Sequence, residues 1–423
     1  MVCVKKTLIK GDIIYTIDKD KFIFHEDSYI LVEGGIVKNI SKDLENFHKP
    51  YDLIDYSGKL IIPGFVDLHY HAPQYPNIGL GMDKELIPWL NTYTFPEEAK
   101  YKDLNYSEKV FMNLINDVWE KGTTRSVVFS TVFKDSTQLL LDMFIDSGLG
   151  AYIGKVNMDM NSSRALTENT QESIRETEEI ILKYKDKCDL VHPIITPRFI
   201  PSCSEKLLRS LGDLAKKYDI KIQSHINENT SEVLWVQELY PDIDNYASVY
   251  DHFGLFGQRE TIMAHCIHNK EEETDLMIKN GVYAAHSPFS NFNLSSGMMS
   301  IRKYLDKGMK IGLASDISGG HSLSIADVMV GAIQTSKMVW LYGGKEDRPL
   351  SLSEAFYLAT KGGGGFFGKV GSFEQGYDFD ALIIDVDEDL NMEERLEKFI
   401  YDSKDRILDR FVRGNKIKKP YEV

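Results

Sequence analysis

Cysteine is scarce in this 423-residue chain, and the four present, Cys3, Cys188, Cys203 and Cys266, never form a Cys-x-x-Cys pair. A structural zinc knuckle and a disulfide framework are both disfavoured by that usage. Long apolar runs are missing too: no uninterrupted stretch reaches membrane-spanning length, and Met1-Val2-Cys3-Val4-Lys5-Lys6-Thr7 lacks the apolar core of a secretory signal. The expectation is a soluble, cytoplasmic protein, in which a sequon such as Asn105-Tyr106-Ser107 carries no glycosylation meaning. Positive charge is in deficit, with 49 Lys and Arg against 64 Asp and Glu, a net charge of −15, and no long basic run. Nucleic acid and membrane surfaces are therefore poor partners, since neutralising phosphates takes clustered cations. No internal repeat is visible, and low complexity is confined to 362–365.

What is present is ordinary globular material, 43% hydrophobic and 27% charged, enough for a sizeable core. The first 60 or so residues alternate short strands and turns, with strands expected over 7–17, 29–32 and 35–40; two more, at 380–384 and 411–417, close the chain. The ends are expected to pair into one composite β-sandwich domain, 1–62 plus 370–423, around a domain spanning 63–369. Within the latter, eight short apolar runs (64–70, 124–131, 151–158, 190–198, 221–227, 261–267, 282–287 and 310–316) alternate with helical stretches such as 107–121, 170–184, 205–218, 271–280 and 298–306. Eight alternations favour an α/β class fold, a (β/α)8 TIM-like barrel, over an open doubly wound sheet, which more often stops at five or six strands. Count alone leaves the open sheet as the alternative.

One motif misleads. Residues 363–369 fit Gly-x-x-x-x-Gly-Lys, but Val370 follows where a phosphate loop needs Ser or Thr, and a helical stretch, 353–360, precedes it instead of a strand. Close helix packing or a helix end is the better reading.

In Pro63-Gly64-Phe65-Val66-Asp67-Leu68-His69-Tyr70-His71, apolar residues lead into two histidines at i and i+2, which share one face of a strand. A lone His-x-His is more often two hydrogen-bonded histidines than a metal motif. On a barrel, however, functional groups gather at the carboxyl ends of strands, and His225, His265 and Asp316 fall at the ends of the fifth, sixth and eighth runs. Singly, either histidine reads as a core residue and Asp316 as a helix cap. Together they need a common partner, because buried polar groups are costly when unpaired. His69, His71, His225 and Asp316 make a plausible shell for zinc, with iron or another divalent ion as the alternative. The fourth run ends in Leu190-Val191-His192-Pro193-Ile194-Ile195-Thr196-Pro197-Arg198-Phe199, without the lysine that a carbamate-bridged pair of metals would use, so one metal is expected.

The strand-one segment resembles the signature of the amidohydrolase superfamily, over essentially the whole chain. Within it, His71-Ala72-Pro73-Gln74-Tyr75, Trp89-Leu90-Asn91-Thr92-Tyr93-Thr94-Phe95-Pro96, Thr196-Pro197-Arg198-Phe199 and Ser224-His225-Ile226-Asn227-Glu228 resemble the branch that deaminates guanine. The resemblance implies one zinc on His69, His71, His225 and Asp316, guanine contacts from Gln74, Arg198, Phe199, Glu228 and His265, and a homodimer. It implies hydrolysis of guanine to xanthine and ammonia, with Glu228 moving protons to the ring N3 and the amine, Asp316 accepting a proton from water, and His265 hydrogen-bonding the attacking oxygen. Arg198 presents paired donors that suit guanine O6 and N7, Gln74 can donate and accept at another edge, and Phe199 or Trp89 can stack on the purine. The His-x-Glu and Pro-Cys-x-x-Cys signature of the other zinc deaminases is absent. Two positions depart from the branch: Phe289, where a small or polar residue is usual, and His321, where an aromatic is expected. Residues 79–101 read as a long loop, a lid or a subunit contact. The rival readings are a deaminase of 8-oxoguanine, thiomethyladenosine or a triazine, and, further off, a non-catalytic scaffold of the same fold.

Overall fold

The computed structural model describes residues 6–345 and 347–422, so Cys3 and the run 1–5 lie outside the described residues. Four strands open the chain: β1 (Lys6–Thr16), β2 (Phe22–Glu33), β3 (Ile36–Ser41) and β4 (Asp52–Pro63). Ten follow with carboxyl ends leading toward the site, eight runs with two of them interrupted: β5 (Phe65–His71), β6 (Thr123–Phe129), β7 (Gly150–Gly154), β8 (Val156–Asn157), β9 (Val191–Pro193), β10 (Thr196–Pro197), β11 (Ile222–Ile226), β12 (Thr261–His265), β13 (Tyr283–His286) and, last of the series, β14 (Lys310–Leu313). Three close the chain: β15 (Ala381–Ile384), β16 (Ile407–Val412) and β17 (Asn415–Lys416).

The two chain ends share one seven-stranded sheet, in the order β17-β16-β15-β4-β1-β2-β3. Gly34 and Gly35, at φ of 61° and 82°, make the β2–β3 turn. Strand β4 was not foreseen: its last four residues, Leu60 to Pro63, are buried, while in its first half only Ile54 and Tyr56 are half-buried, an alternation too short to mark a strand. The single strand expected over 411–417 is instead a hairpin, β16 and β17, turned at Gly414 with φ of 72°.

The eight apolar runs form parallel sheets, β5-β6-β7-β9 and β11-β12-β13-β14, with the short pair β8-β10. Two runs are broken, the fourth by Pro193 and Pro197, which cannot donate to a ladder. The sheets meet at both margins: Ile195 N–H donates to Lys221 O at 2.9 Å, and Gln223 N–H to Ile195 O at 2.9 Å; opposite, Asp316 N–H donates to His69 O at 2.9 Å and His71 N–H to Ile317 O at 3.1 Å.

Amphipathic helices cover these sheets. In Glu205–Tyr218, Leu207, Leu208, Leu211, Leu214 and Ala215 form one buried stripe at helical spacing, and Ser204 caps the first turn by accepting from Leu207 N–H. Each leucine so buried stabilises the fold by about 1.5–3 kcal/mol. The glycine run is a packing device, as expected: a Cβ on Gly312 would stand 2.7 Å from the Gly363 Cα, and one on Gly363 3.2 Å from Val66 Cγ1. Among the described residues, no helix is long and apolar enough to cross a membrane.

The segment expected as a long loop is mostly helical: Leu86–Trp89, a wide turn over Leu90–Thr94, Phe95–Glu98 and a tight turn over Ala99–Lys102. Leu86, Trp89, Leu90 and Phe95 bury one side of it, and Pro96 sits in a first helical turn, where its missing N–H is harmless. Trp89 Nε1–H donates to Leu80 O at 3.0 Å, and Asn77 Nδ2–H to Tyr93 O at 3.1 Å.

Candidate active site

Strand β5, buried along its whole length, carries His69 and His71; β11 carries His225 next to its end; His265 ends β12; Asp316 follows β14. Asn227, His265, Cys266 and Asp316 leave the strands at φ of 51°, 75°, 53° and 47°. Such left-handed, non-glycine backbone costs free energy and concentrates where side chains must be aimed at a site. The result is a cluster. His71 Nε2 lies 3.0 Å from His225 Nε2, and Asp316 Oδ1 is 3.2 Å from His69 Nε2 and 3.8 Å from His71 Nε2. His265 Nε2 stands 3.7 Å from Asp316 Oδ2 and 3.4 Å from Glu228 Oε2. The ring of Phe129, from the end of β6, walls the cluster off with centroids 4.7–4.9 Å from His69, His71 and His225.

Hydrogen bonds fix two of the rings. His225 Nδ1–H donates to the Arg198 carbonyl at 2.6 Å and His265 Nδ1–H to Asn291 Oδ1 at 3.0 Å, turning both Nε2 atoms inward. Burial, with the neighbouring imidazoles, holds His71 and His225 well below the usual histidine pKa, which favours their neutral forms with free lone pairs. The residues fit a metal: His69 Nε2 is buried and, although 3.2 Å from Asp316 Oδ1, makes no aligned hydrogen bond, and one ligand atom each of His69, His71 and Asp316, or of His69, His225 and His265, lie within 4.8 Å of one another. Three imidazoles and a carboxylate form a donor set that divalent ions take.

Glu228 follows β11 and precedes the helix Thr230–Leu239, whose capping box is made by Asn229 and Glu232. Burial first, then the carboxylates of Glu232 and Asp316, push Glu228 well above the ordinary carboxylic-acid pKa. That environment favours the protonated form of Glu228 over its carboxylate. Glu232 accepts from Glu228 N–H at 3.1 Å and from Tyr246 O–H at 2.6 Å.

A pocket opens over this cluster, lined among others by Gln74, Trp89, Arg198, Phe199, Glu228 and His265. Every site residue expected from the sequence thus meets in one place. The Arg198 guanidinium lies 5.1 Å above the Phe95 ring, and Phe199 packs edge-on against Trp235. Phe289 and His321, the two departures, face each other with ring centroids 4.4 Å apart and are not among the residues lining the pocket.

Three residues of the site were not anticipated: Glu98, Glu232 and Asn291. Glu98 accepts from Arg198 Nη1–H at 2.7 Å and from Gln74 Nε2–H at 3.0 Å, all three side chains being buried. The available signal was chemical: an arginine at a buried strand end needs a counter-charge, and Glu97-Glu98 follows directly on the Trp89 to Pro96 motif.

The family model described as "Amidohydrolase family" matches residues 60–417. The chain is 38% identical to a guanine deaminase of Dictyostelium discoideum, over 97% of this chain and 98% of that one. It is 38% identical to a Homo sapiens guanine deaminase, over 98% of this chain and 93% of that one. A crystal structure of guanine deaminase from C. acetobutylicum, with bound guanine in the active site, superposes with a TM-score of 0.96 at 53% identity, covering 98% of this chain and 100% of the other. The chain belongs to the amidohydrolase family, in the company of guanine deaminases.

Proposed function

We propose that this protein is a guanine deaminase that hydrolyses guanine to xanthine and ammonia. The observation that carries the proposal is the placement of Arg198 and Gln74 beside Glu228, over the His69, His71, His225 and Asp316 cluster, in one pocket. The guanine-bound relative of the same fold supports the substrate.

In this reading Arg198 donates to O6 and N7 while Gln74 holds another edge of the ring, and Phe199 and Trp89 enclose its faces. His69, His71, His225 and Asp316 would hold one divalent ion, for which zinc suits the donor set. When bound, that ion supplies Lewis acidity and lowers the pKa of water from 15.7 to about 7. Glu228 gives its proton to N3, which leaves C2 electron-poor, and Asp316 accepts a proton from the attacking water. His265, aimed by Asn291, presents Nε2 to accept from the new hydroxyl at C2. Glu228 then passes the hydroxyl proton at C2 to the departing amine, so ammonia leaves and the C2 carbonyl of xanthine forms, and return of the proton held by Asp316 to Glu228 restores both groups for the next turnover.

The proposal extends to architecture: 63–369 as a closed (β/α)8 barrel, supported by the hydrogen bonds at both sheet margins, and 1–62 with 370–423 as a β-sandwich, supported by the shared terminal sheet. A homodimer, on the sequence resemblance alone, and a cytoplasmic place complete it. Steady-state rates on guanine, 8-oxoguanine, methylthioadenosine and an amino-triazine test the substrate. Guanine should be turned over with the highest kcat/KM; turnover of another member of the panel with none of guanine overturns the reading.

A further inference from the structure

We infer that Glu98 is a positioning residue that sets which purine edge this pocket reads; the inference rests on the deaminase reading above. Its two carboxylate oxygens are divided, Oε2 accepting from Arg198 Nη1–H at 2.7 Å and Oε1 from Gln74 Nε2–H at 3.0 Å. A carboxylate only accepts, so this bond decides the orientation of the Gln74 amide: Nε2 faces Glu98 and Oε1 faces Ser318 N–H, at 3.4 Å. Arg198 is only 3% exposed and receives its counter-charge from Glu98, so the guanidinium offers its remaining donors to a neutral ring and not a net charge to an anion.

Glu98 is not among the residues lining the pocket and acts through the two that are. It ends the helical turn Phe95–Glu98, which continues the segment whose Trp89 and Leu90 line the same pocket, and the Phe95 ring lies under the Arg198 guanidinium. Enclosure of the ring and reading of its edge are thereby built on one stretch of chain.

The test compares guanine with 2-aminopurine, which lacks O6. In Glu98→Gln a second amide N–H replaces one acceptor, so Gln74 must turn and Arg198 loses its charged anchor. The guanine KM should rise about tenfold, the scale of one lost polar contact, with kcat changed less than about threefold. The inhibition constant of 2-aminopurine should move less than about threefold, so discrimination between the two purines falls. Equal weakening toward both purines, or unchanged discrimination, overturns the inference. Should Glu98→Gln not fold, Glu98→Asp, which keeps the charge but reaches one partner less well, should lower discrimination about threefold, and no change there counts against the inference. Guanine left unconverted by the wild-type protein overturns the deaminase reading and this inference with it; conversion with unaltered discrimination in the variants overturns this inference alone.

Discussion

The Nε2 atoms of His71 and His225 stand 3.0 Å apart, although the residues are 154 positions apart and lie in different parallel sheets. Two neutral imidazoles aimed at one point, with the Asp316 carboxylate beside them, gain little from each other and much from a shared cation. A separation of 3.0 Å is compatible with two bonds of about 2.0–2.1 Å to one ion.

Replacing His225 by alanine should accordingly abolish stoichiometric metal binding, measured by elemental analysis of the purified protein, and lower kcat/KM by at least about 100-fold. His321→Ala, outside the pocket, should keep the metal. Full metal content in His225→Ala contradicts the ligand assignment.

Glu228→Gln should keep the metal and lower kcat by about 10²–10⁴, the range for a lost general acid–base group. Retained activity in that variant contradicts the proton-transfer role.

A pH profile examines the same residue differently. Glu228 acts as the protonated acid, so kcat should fall as pH rises through its elevated pKa. Glu232→Gln removes a neighbouring negative charge, which makes ionisation of Glu228 easier and lowers its pKa; the alkaline limb should then move to lower pH. A limb that stays in place or moves upward contradicts the electrostatic account.

Much of this site was legible because the (β/α) alternation assigns each strand end a place on one rim, so that His69, His71, His225, His265 and Asp316 converge without knowledge of the coordinates. Helices with strong apolar periodicity were legible as well: 170–184, 205–218 and 271–280 match the observed elements residue for residue. Strand β4 was not, since its first half is mostly exposed and offers only Ile54 and Tyr56 as a two-residue alternation. The helical character of 86–98 was hidden by Pro88 and Pro96, which read as breakers until tertiary burial of Trp89 and Phe95 decides otherwise. Glu98 escaped because its meaning depends on two partners, Gln74 and Arg198, that lie 24 and 100 positions away. Phe289 and His321 looked like separate departures, and only the fold brings their rings into contact, with centroids 4.4 Å apart and planes tilted by 40°.

The terminal sheet is tied to the parallel strands by Arg125 of β6, whose Nε–H donates to Asp380 Oδ2 at 2.6 Å and Nη2–H to Asp378 Oδ2 at 3.0 Å. Asp380 is buried and in Arg125→Ala would lose its counter-charge and keep only the Arg413 N–H, which should destabilise the protein by about 3–5 kcal/mol in urea unfolding. A loss below about 1 kcal/mol, the scale of an exposed pair, contradicts the structural role given to this bridge.

The most direct measurement follows guanine, xanthine and ammonia together, in protein as isolated, after chelation, and after zinc is restored. The account predicts equimolar xanthine and ammonia from guanine, a loss of at least about 100-fold on chelation, and recovery with zinc. Guanine left intact by folded, zinc-loaded protein, or xanthine formed undiminished once the metal is gone, would contradict it.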